Sequence, residues 1–303
     1  MSTNPIIELI SVSKRYGDIT AVDDLSLSLN AGEVTAMLGP NGAGKTSSVH
    51  LMMGLLKPSA GAISVLGHPP GERVARQRCG AMLQISGLPD TLKVKELLHL
   101  FESYYPKNLG RDAVVDMSGI ASLLDRRFGN LSGGEKQRIM FALSICGDPE
   151  LLFLDEPTVG MDVTSRHRFW HAVRELSSSG KAVVLTTHYL EEADALADRV
   201  VVINHGQLVA DGSPEEIKSA VPSGRVRCRT TLEKSAVLTM AGVGHADREG
   251  GLLTVATSEP EALVRQLLAA DQGLTELEVS KADLAQAFLH LTGDTTDARG
   301  AAS

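Results

Sequence analysis

The chain has 303 residues, a formal net charge of −8 and 22% charged residues, which suits one large domain with a smaller companion. It carries no long basic run, which disfavours a general nucleic-acid binder, and no stretch approaches the roughly 18 to 20 apolar residues that span a bilayer. The cysteines, Cys79, Cys146 and Cys228, lack metal-ligand spacing and fit a reduced, cytosolic protein, and Met1–Glu8 lacks the basic start and apolar run of a secretory signal.

From Ile6 to about Ser219, strand-like apolar runs alternate with helical patterns, the order of an α/β fold around a buried sheet. Val34–Leu38 reads as a strand and Lys45–Leu56 as the helix after it. Leu151–Leu154 and Ala182–Thr186 read as further buried strands. Between them Phe169, Trp170, Val173 and Leu176 recur at helical spacing, and Gly180 stops that helix. Val200–Asn204 and Gln207–Ala210 flank His205-Gly206 as a hairpin. Ser213-Pro214-Glu215-Glu216 opens a helix with a capping box.

Val221-Pro222-Ser223-Gly224 breaks the pattern and predicts a boundary. Residues 1–222 then form the first domain, 223–292 a small α+β domain, and 293–303 a disordered tail. The small domain reads as a strand (Arg225–Leu232), a short helix and a hairpin around Glu249-Gly250-Gly251. A helix over Pro260–Ala270, a strand over Leu274–Val279 and a helix over Lys281–Leu291, capped by Ser280, follow. Leu284, Phe288 and Leu291 give the last helix an apolar stripe, which packs on the domain's own sheet or clasps a partner.

Gly39-Pro40-Asn41-Gly42-Ala43-Gly44-Lys45-Thr46 is a complete P-loop between strand and helix. Its glycines let successive backbone N–H groups point at phosphate oxygens at a helix amino terminus. Lys45 would reach the β- and γ-phosphates, and Thr46 would hold magnesium. In Leu151–Pro157 a buried strand would deliver Asp155 to that magnesium and leave Glu156 where an attacking water sits. These two motifs leave kinases, GTPases, helicases and motors open. A third motif, Leu131-Ser132-Gly133-Gly134-Glu135-Lys136-Gln137-Arg138, precedes an apolar helical run. Ser132, Gly133 and Gly134 would expose unpaired N–H groups at its start, a second anion site.

With that third motif the chain resembles the ATP-binding cassette (ABC) family, whose signature is Leu-Ser-Gly-Gly-Gln/Glu. The resemblance spans roughly residues 6–220 and implies a P-loop NTPase cassette: a RecA-like core with a helical subdomain at about 85–148. It implies ATP and magnesium as ligands. Gly39, Asn41, Gly42, Ala43, Gly44, Lys45, Thr46 and Ser47 would hold the nucleotide, with Tyr16 stacked on adenine and Val22 also in contact. Ser132, Gly133 and Gly134 would bind the γ-phosphate of a second subunit's ATP, and Asp162 lies in a D-loop, Gly160-Met161-Asp162. Gln84 matches the Q-loop residue that links magnesium and the lytic water to the membrane partner. Thr46, Gln84 and Asp155 would bind the metal. His188 matches the switch histidine at the γ-phosphate, so Glu156, His188, Gln84 and Lys45 form the implied catalytic set. Glu135 for Gln and Met161 for Leu are mild departures.

A DNA-repair ATPase of this family needs a long coiled-coil insertion, and Leu38 to Asp155 has room only for a helical subdomain. A translation-type member needs two cassettes, and there is one P-loop. A transporter subunit remains. Gly160–Val163 and Thr187–Asp194 resemble the branch that exports antibiotics, polysaccharides and lipids (daunorubicin-resistance-like ATPases), as does a tail ending in Asp283–Leu289; an importer subunit is the alternative. The resemblance implies a head-to-tail pair with a second copy, a separate transmembrane permease subunit, no nucleic acid, and a place on the cytoplasmic face of the cell membrane. Leu88–Leu92 leads into a helix carrying Phe101, Tyr104 and Tyr105. These would face that permease's coupling helix or pack within the helical subdomain.

Overall fold

Strand alternation builds the first layer. The computed structural model describes residues 5–83, 87–219, 224–281 and 283–293. In it β1 (Ile7–Tyr16) pairs antiparallel with β2 (Ile19–Leu29), and every second or third residue turns inward: Ile7, Leu9, Val12, Leu25, Leu27, Leu29. β3 (Val34–Leu38) is buried along its whole length, as a central strand covered on both faces must be. α1 (Lys45–Met52) follows. It ends short of the expected Leu56 because Gly54 adopts φ +70° and the Leu55 N–H turns back to His50 O at 2.9 Å. β4 (Ala60–Val65) pairs with β1 and completes a sheet of order β2-β1-β4, a second sheet beside the single buried one read from the sequence.

After α2 (Arg73–Arg76) and β5 (Cys79–Met82) come three helices, α3 (Val94–Glu102), α4 (Arg111–Ser118) and α5 (Gly133–Ile145). The chain then alternates through β6 (Leu151–Asp155), α6 (Val163–Ser178), β7 (Ala182–Thr186), α7 (Leu190–Leu196), β8 (Arg199–Asn204) and β9 (Gln207–Gly212). The six-stranded sheet runs β5-β6-β7-β3-β8-β9, with parallel pairing from β5 through β8. His205 and Gly206, both at positive φ, turn β8 into β9, the geometry a two-residue hairpin needs. Met37, Val49, Phe153, Val184 and Ile203 fill the core with Leu29 at 1% exposure or less. Each such side chain contributes about 1.5–3 kcal/mol relative to exposure. Among the described residues no helix is long and apolar enough to cross a membrane.

The aromatic cluster after Leu92 divides. Tyr105 lies over Gly147, where an added Cβ would sit 2.3 Å from the ring, so it packs inside the helical region. Phe101 is half-buried and joins Tyr105, Met52, Leu55, Cys79 and Leu143 around an apolar cavity of about 310 Å³. Tyr104 is 60% exposed.

The chain forms two compact units, Met1–Asp211 and Gly212–Ser303. The second opens with α8 (Pro214–Ser219), whose capping box forms as expected: Ser213 N–H donates to Glu216 Oε2 and Glu216 N–H to Ser213 Oγ. β10 (Gly224–Arg229), α9 (Lys234–Leu238), β11 (Val243–Glu249), β12 (Leu252–Thr257), α10 (Pro260–Ala270) and β13 (Thr275–Lys281) follow. They make an antiparallel sheet of order β11-β12-β10-β13, a split β-α-β pattern, with Val226, Cys228, Leu253, Val255, Leu263 and Leu267 at its core. The last helix, α11 (Leu284–Thr292), is capped by Asp283, which accepts from Gln286 N–H at 2.8 Å. Ser280 cannot cap it, because β13 stays paired with β10 out to Lys281. α11 packs on α8, with Leu284, Ala287 and Ile217 buried. Of the expected break, 221–223 lie outside the described residues, as does the tail from 294.

Candidate active site

The P-loop geometry follows from three glycines with no room or no tolerance for a side chain. A Cβ on Gly39 would meet Ile203 O at 2.3 Å, and one on Gly44 would meet Ala21 O at 2.2 Å. Gly42 and Gly44 adopt φ +81° and +104°, where an L side chain is strained. Gly44 caps α1 with no side-chain hydrogen bond, so the first helix amides keep their donors for an anion. Lys45 folds back over the loop. Its Nζ donates to Gly39 O at 2.6 Å and Pro40 O at 3.1 Å. Burial pushes the ammonium's pKa below its ordinary value, against which the charges of Glu156 and then Asp155 act. Ala21, Asn41, Gly42, Ala43, Gly44, Thr46, Ser47 and Glu156 surround a cavity of about 300 Å³ with Lys45.

Val22, expected at the nucleotide, lies in the core at 0% exposure, and its neighbour Ala21 lines the cavity instead. Side chains alternate along β2, so the residue before a core valine faces the other way. Tyr16 ends β1 at 45% exposure, with Lys14 Nζ 5.1 Å from its ring centroid.

At the end of β6, Asp155 and Glu156 take different roles from different surroundings. Asp155 is 3% exposed and its Oδ1 accepts from Thr186 Oγ1. Glu156 sits at φ +51°, and its N–H donates to Thr186 O (3.0 Å) and Thr186 Oγ1 (3.2 Å). Its Oε2 lies 2.5 Å from His188 Nδ1. A carboxylate only accepts, so that nitrogen carries the proton. Thr186 was not among the expected site residues. Its signal lies in the register, since it stands opposite Asp155 on the neighbouring strand. Gln84 lies outside the described residues.

The signature segment folds as a capped helix start. Ser132 N–H donates to Glu135 Oε2 at 2.8 Å, and Glu135 N–H to Ser132 Oγ at 3.3 Å. The Ser132 amide, then its hydroxyl and Arg126, hold the Glu135 carboxyl below its usual pKa. Arg126 Nη1 reaches Glu135 Oε1 at 2.5 Å, so the acid that replaces Gln in the signature is neutralised at its source. Gly133 and Gly134 are left with amides that have no intrahelical acceptor. A Cβ on Gly134 would meet Gly160 O at 2.9 Å, which brings the D-loop beside the signature in one chain. Asp162 caps α6, its carboxylate accepting from Ser165 N–H and Oγ–H at 2.9 and 2.7 Å.

The donor set suits magnesium. The Thr46 hydroxyl and the Asp155 carboxylate are hard oxygens, and no hydrogen bond occupies Asp155 Oδ2 among the described residues.

A family model described as "ABC transporter" matches residues 22–159. The Nod factor export ATP-binding protein I of Rhizobium sp. (strain N33) is 36% identical over 300 residues, 95% of this chain and 97% of that one. A solved ATP-binding subunit of an ABC transporter is 25% identical, with a TM-score of 0.66 over 71% of this chain and 92% of its own. A dimeric ATP-binding cassette in a post-hydrolysis state, bound to ADP and phosphate, shares the fold at 21% identity. Its TM-score is 0.62 over 68% of this chain and 98% of its own.

Proposed function

Since the chain belongs to the ABC transporter family of ATP-binding cassette ATPases, we propose that it drives export by hydrolysing magnesium-ATP as a head-to-tail pair bound to a separate transmembrane subunit at the cytoplasmic face of the membrane. The observation that carries this reading is the joint placement of Lys45, Asp155, Glu156 and His188 at one end of the parallel sheet, with the Ser132–Gly134 amides in a second, separate cradle. The direction of transport rests on the relatives named for export. The apolar cavity beside Phe101 and Tyr105 is where a helix of the transmembrane subunit would seat.

Thr46 and Asp155 would hold magnesium, whose charge, when bound, neutralises that developing on the phosphate oxygens. Asn41–Ser47 amides and Lys45 bind and orient the phosphates of ATP. His188 Nδ1–H fixes one oxygen of Glu156, which leaves the other to take hydrogen bonds from water and aim it at the γ-phosphorus. Catalysis here is positioning plus electrostatics.

A head-to-tail pair makes Ser132→Arg informative. The substitution puts bulk and charge at the partner's phosphate without touching its own P-loop. Alone it is expected to stop turnover; mixed with Lys45→Ala chains it should regain activity, because a mixed pair keeps one intact P-loop facing one intact signature. Undiminished ATPase activity of Ser132→Arg alone would show that hydrolysis needs no second subunit.

The second unit contains none of the phosphate-contacting motifs. Ending the chain after Asp211 removes α8 together with its partner α11 and is expected to leave ATP affinity unchanged by calorimetry. If this unit also holds two copies near each other, activity per subunit should fall more steeply on dilution in the shortened chain. Superimposed activity–concentration curves would assign it no such role.

A further inference from the structure

Of the acids on α7, Glu191 and Asp194 face water, while Glu192 is 1% exposed. A carboxyl so placed is unfavourable unless it is held. Its Oε1 accepts from Trp170 Nε1 at 3.2 Å. The buried hydroxyls of Thr187 and Thr158 face the same carboxyl. Thr187 Oγ1 already accepts from Tyr189 N–H at 3.0 Å, which leaves its own proton for the carboxyl. Glu192 Oε2 and Thr158 Oγ1, in contrast, both lack a hydrogen-bond partner of ordinary geometry.

The elements that meet here are those that carry the chemistry. Thr158 follows Glu156 by two residues, and Thr187 precedes His188. Trp170 belongs to α6, the helix capped by Asp162. One turn earlier on α6, Arg166 lies 5.3 Å from the ring centroid of Tyr189, whose ring is 4.0 Å from that of His188. Helix α6 thus grips the His188 loop at two points, and Glu192 is the polar half of that grip.

We propose that Glu192 is a positioning residue for hydrolysis: by tying α7 to Trp170 and to the Thr158 segment, it holds His188 and Glu156 in register and makes their contact follow α6. The proposal rests on the reading above that these two residues act on ATP. A leucine would fill the same volume without burying an acid. Burial, reinforced by the nearby Glu156 charge, pushes the Glu192 carboxyl's pKa up. Thr158 Oγ1, which has no other partner among the described residues, is the group nearest to hand for a hydrogen bond that completes the grip.

In the full chain, Glu192→Ala is expected to lower kcat for magnesium-ATP by about 10²-fold, the scale of an ångström's misplacement, with KM near wild type because the P-loop is untouched. Glu192→Gln keeps an acceptor for the indole and turns an N–H donor toward Thr158, so it should recover most of that loss. Trp170→Phe should lower kcat in the same way and cost little more when added to Glu192→Ala. Wild-type kcat in Glu192→Ala, or an equal loss in Glu192→Gln, would overturn the proposal. Should Glu192→Ala fail to fold, the other two variants decide: Glu192→Gln near wild type with Trp170→Phe impaired in kcat alone supports it, and equal values overturn it. A wild-type chain whose hydrolysis matches that of Lys45→Ala would instead remove the ATPase reading beneath it.

Discussion

Lys45→Ala is expected to abolish useful ATP affinity. Among the described residues the ammonium is the only cation of the side chains around the P-loop cavity, and it lies among two loop carbonyls and the charges of Asp155 and Glu156. Its removal does three things at once. The phosphates lose their one charged donor from this loop, Gly39 O and Pro40 O lose theirs, and two carboxylates are left facing an incoming polyanion. Taking one partner from a buried charge pair costs about 3–5 kcal/mol, or about 10²- to 10⁴-fold in Kd. Lys45→Arg keeps the charge but replaces a compact ammonium with a planar fork, so it should restore affinity only in part. Isothermal calorimetry with magnesium-ATP reads both, and a far-ultraviolet spectrum separates lost binding from lost fold. Unchanged binding by the alanine variant would mean that this loop is not the phosphate site.

The parts of the site that were legible in sequence are those whose chemistry is contiguous. The P-loop shows itself because a buried strand, close-packed glycines and a helix start must follow one another within a few residues. The β6 end does so because four buried apolar residues precede two acids. Residues that act across space leave no such trace. Thr186 matters because β7 lies beside β6 in register, and Arg126 because a turn brings it back nine residues to Glu135. The β2-β1-β4 sheet was hidden by irregular pairing: register shifts between Leu9 and Lys14, with Ser11 and Asp24 at positive φ, break the strict alternation that announces a strand. Val22 entered as a nucleotide contact through the family resemblance alone, and it is the alternation along β2 that sets Ala21, and not Val22, on the cavity. For α11, propensity pointed to Ser280 as cap, but β13 stays paired out to Lys281 and the cap falls to Asp283.

Glu156→Gln is expected to keep ATP binding and lose about 10²- to 10⁴-fold in turnover, the usual worth of a positioned base, equivalent to about 2.7–5.4 kcal/mol of transition-state stabilisation. The substitution preserves size, so the φ +51° backbone and its two hydrogen bonds to Thr186 should survive. What changes is charge and one acceptor. Glutamine cannot take a proton from water, and its amide can turn an N–H group toward either His188 Nδ1 or the attacking water. Removing a negative charge beside the phosphates also favours the bound polyanion, so affinity for ATP should rise or hold rather than fall. With binding intact and cleavage blocked, the paired state of the cassettes should accumulate. Size-exclusion chromatography with magnesium-ATP would then show a dimer for Glu156→Gln at concentrations where the wild-type chain, having hydrolysed its nucleotide, elutes as a monomer. His188→Ala removes the hydrogen bond that orients Glu156 but not the base itself, and should cost less. If Glu156→Gln turned over at near the wild-type rate while His188→Ala did not, the base would be the histidine, and the 2.5 Å contact between the two would orient His188 instead of Glu156.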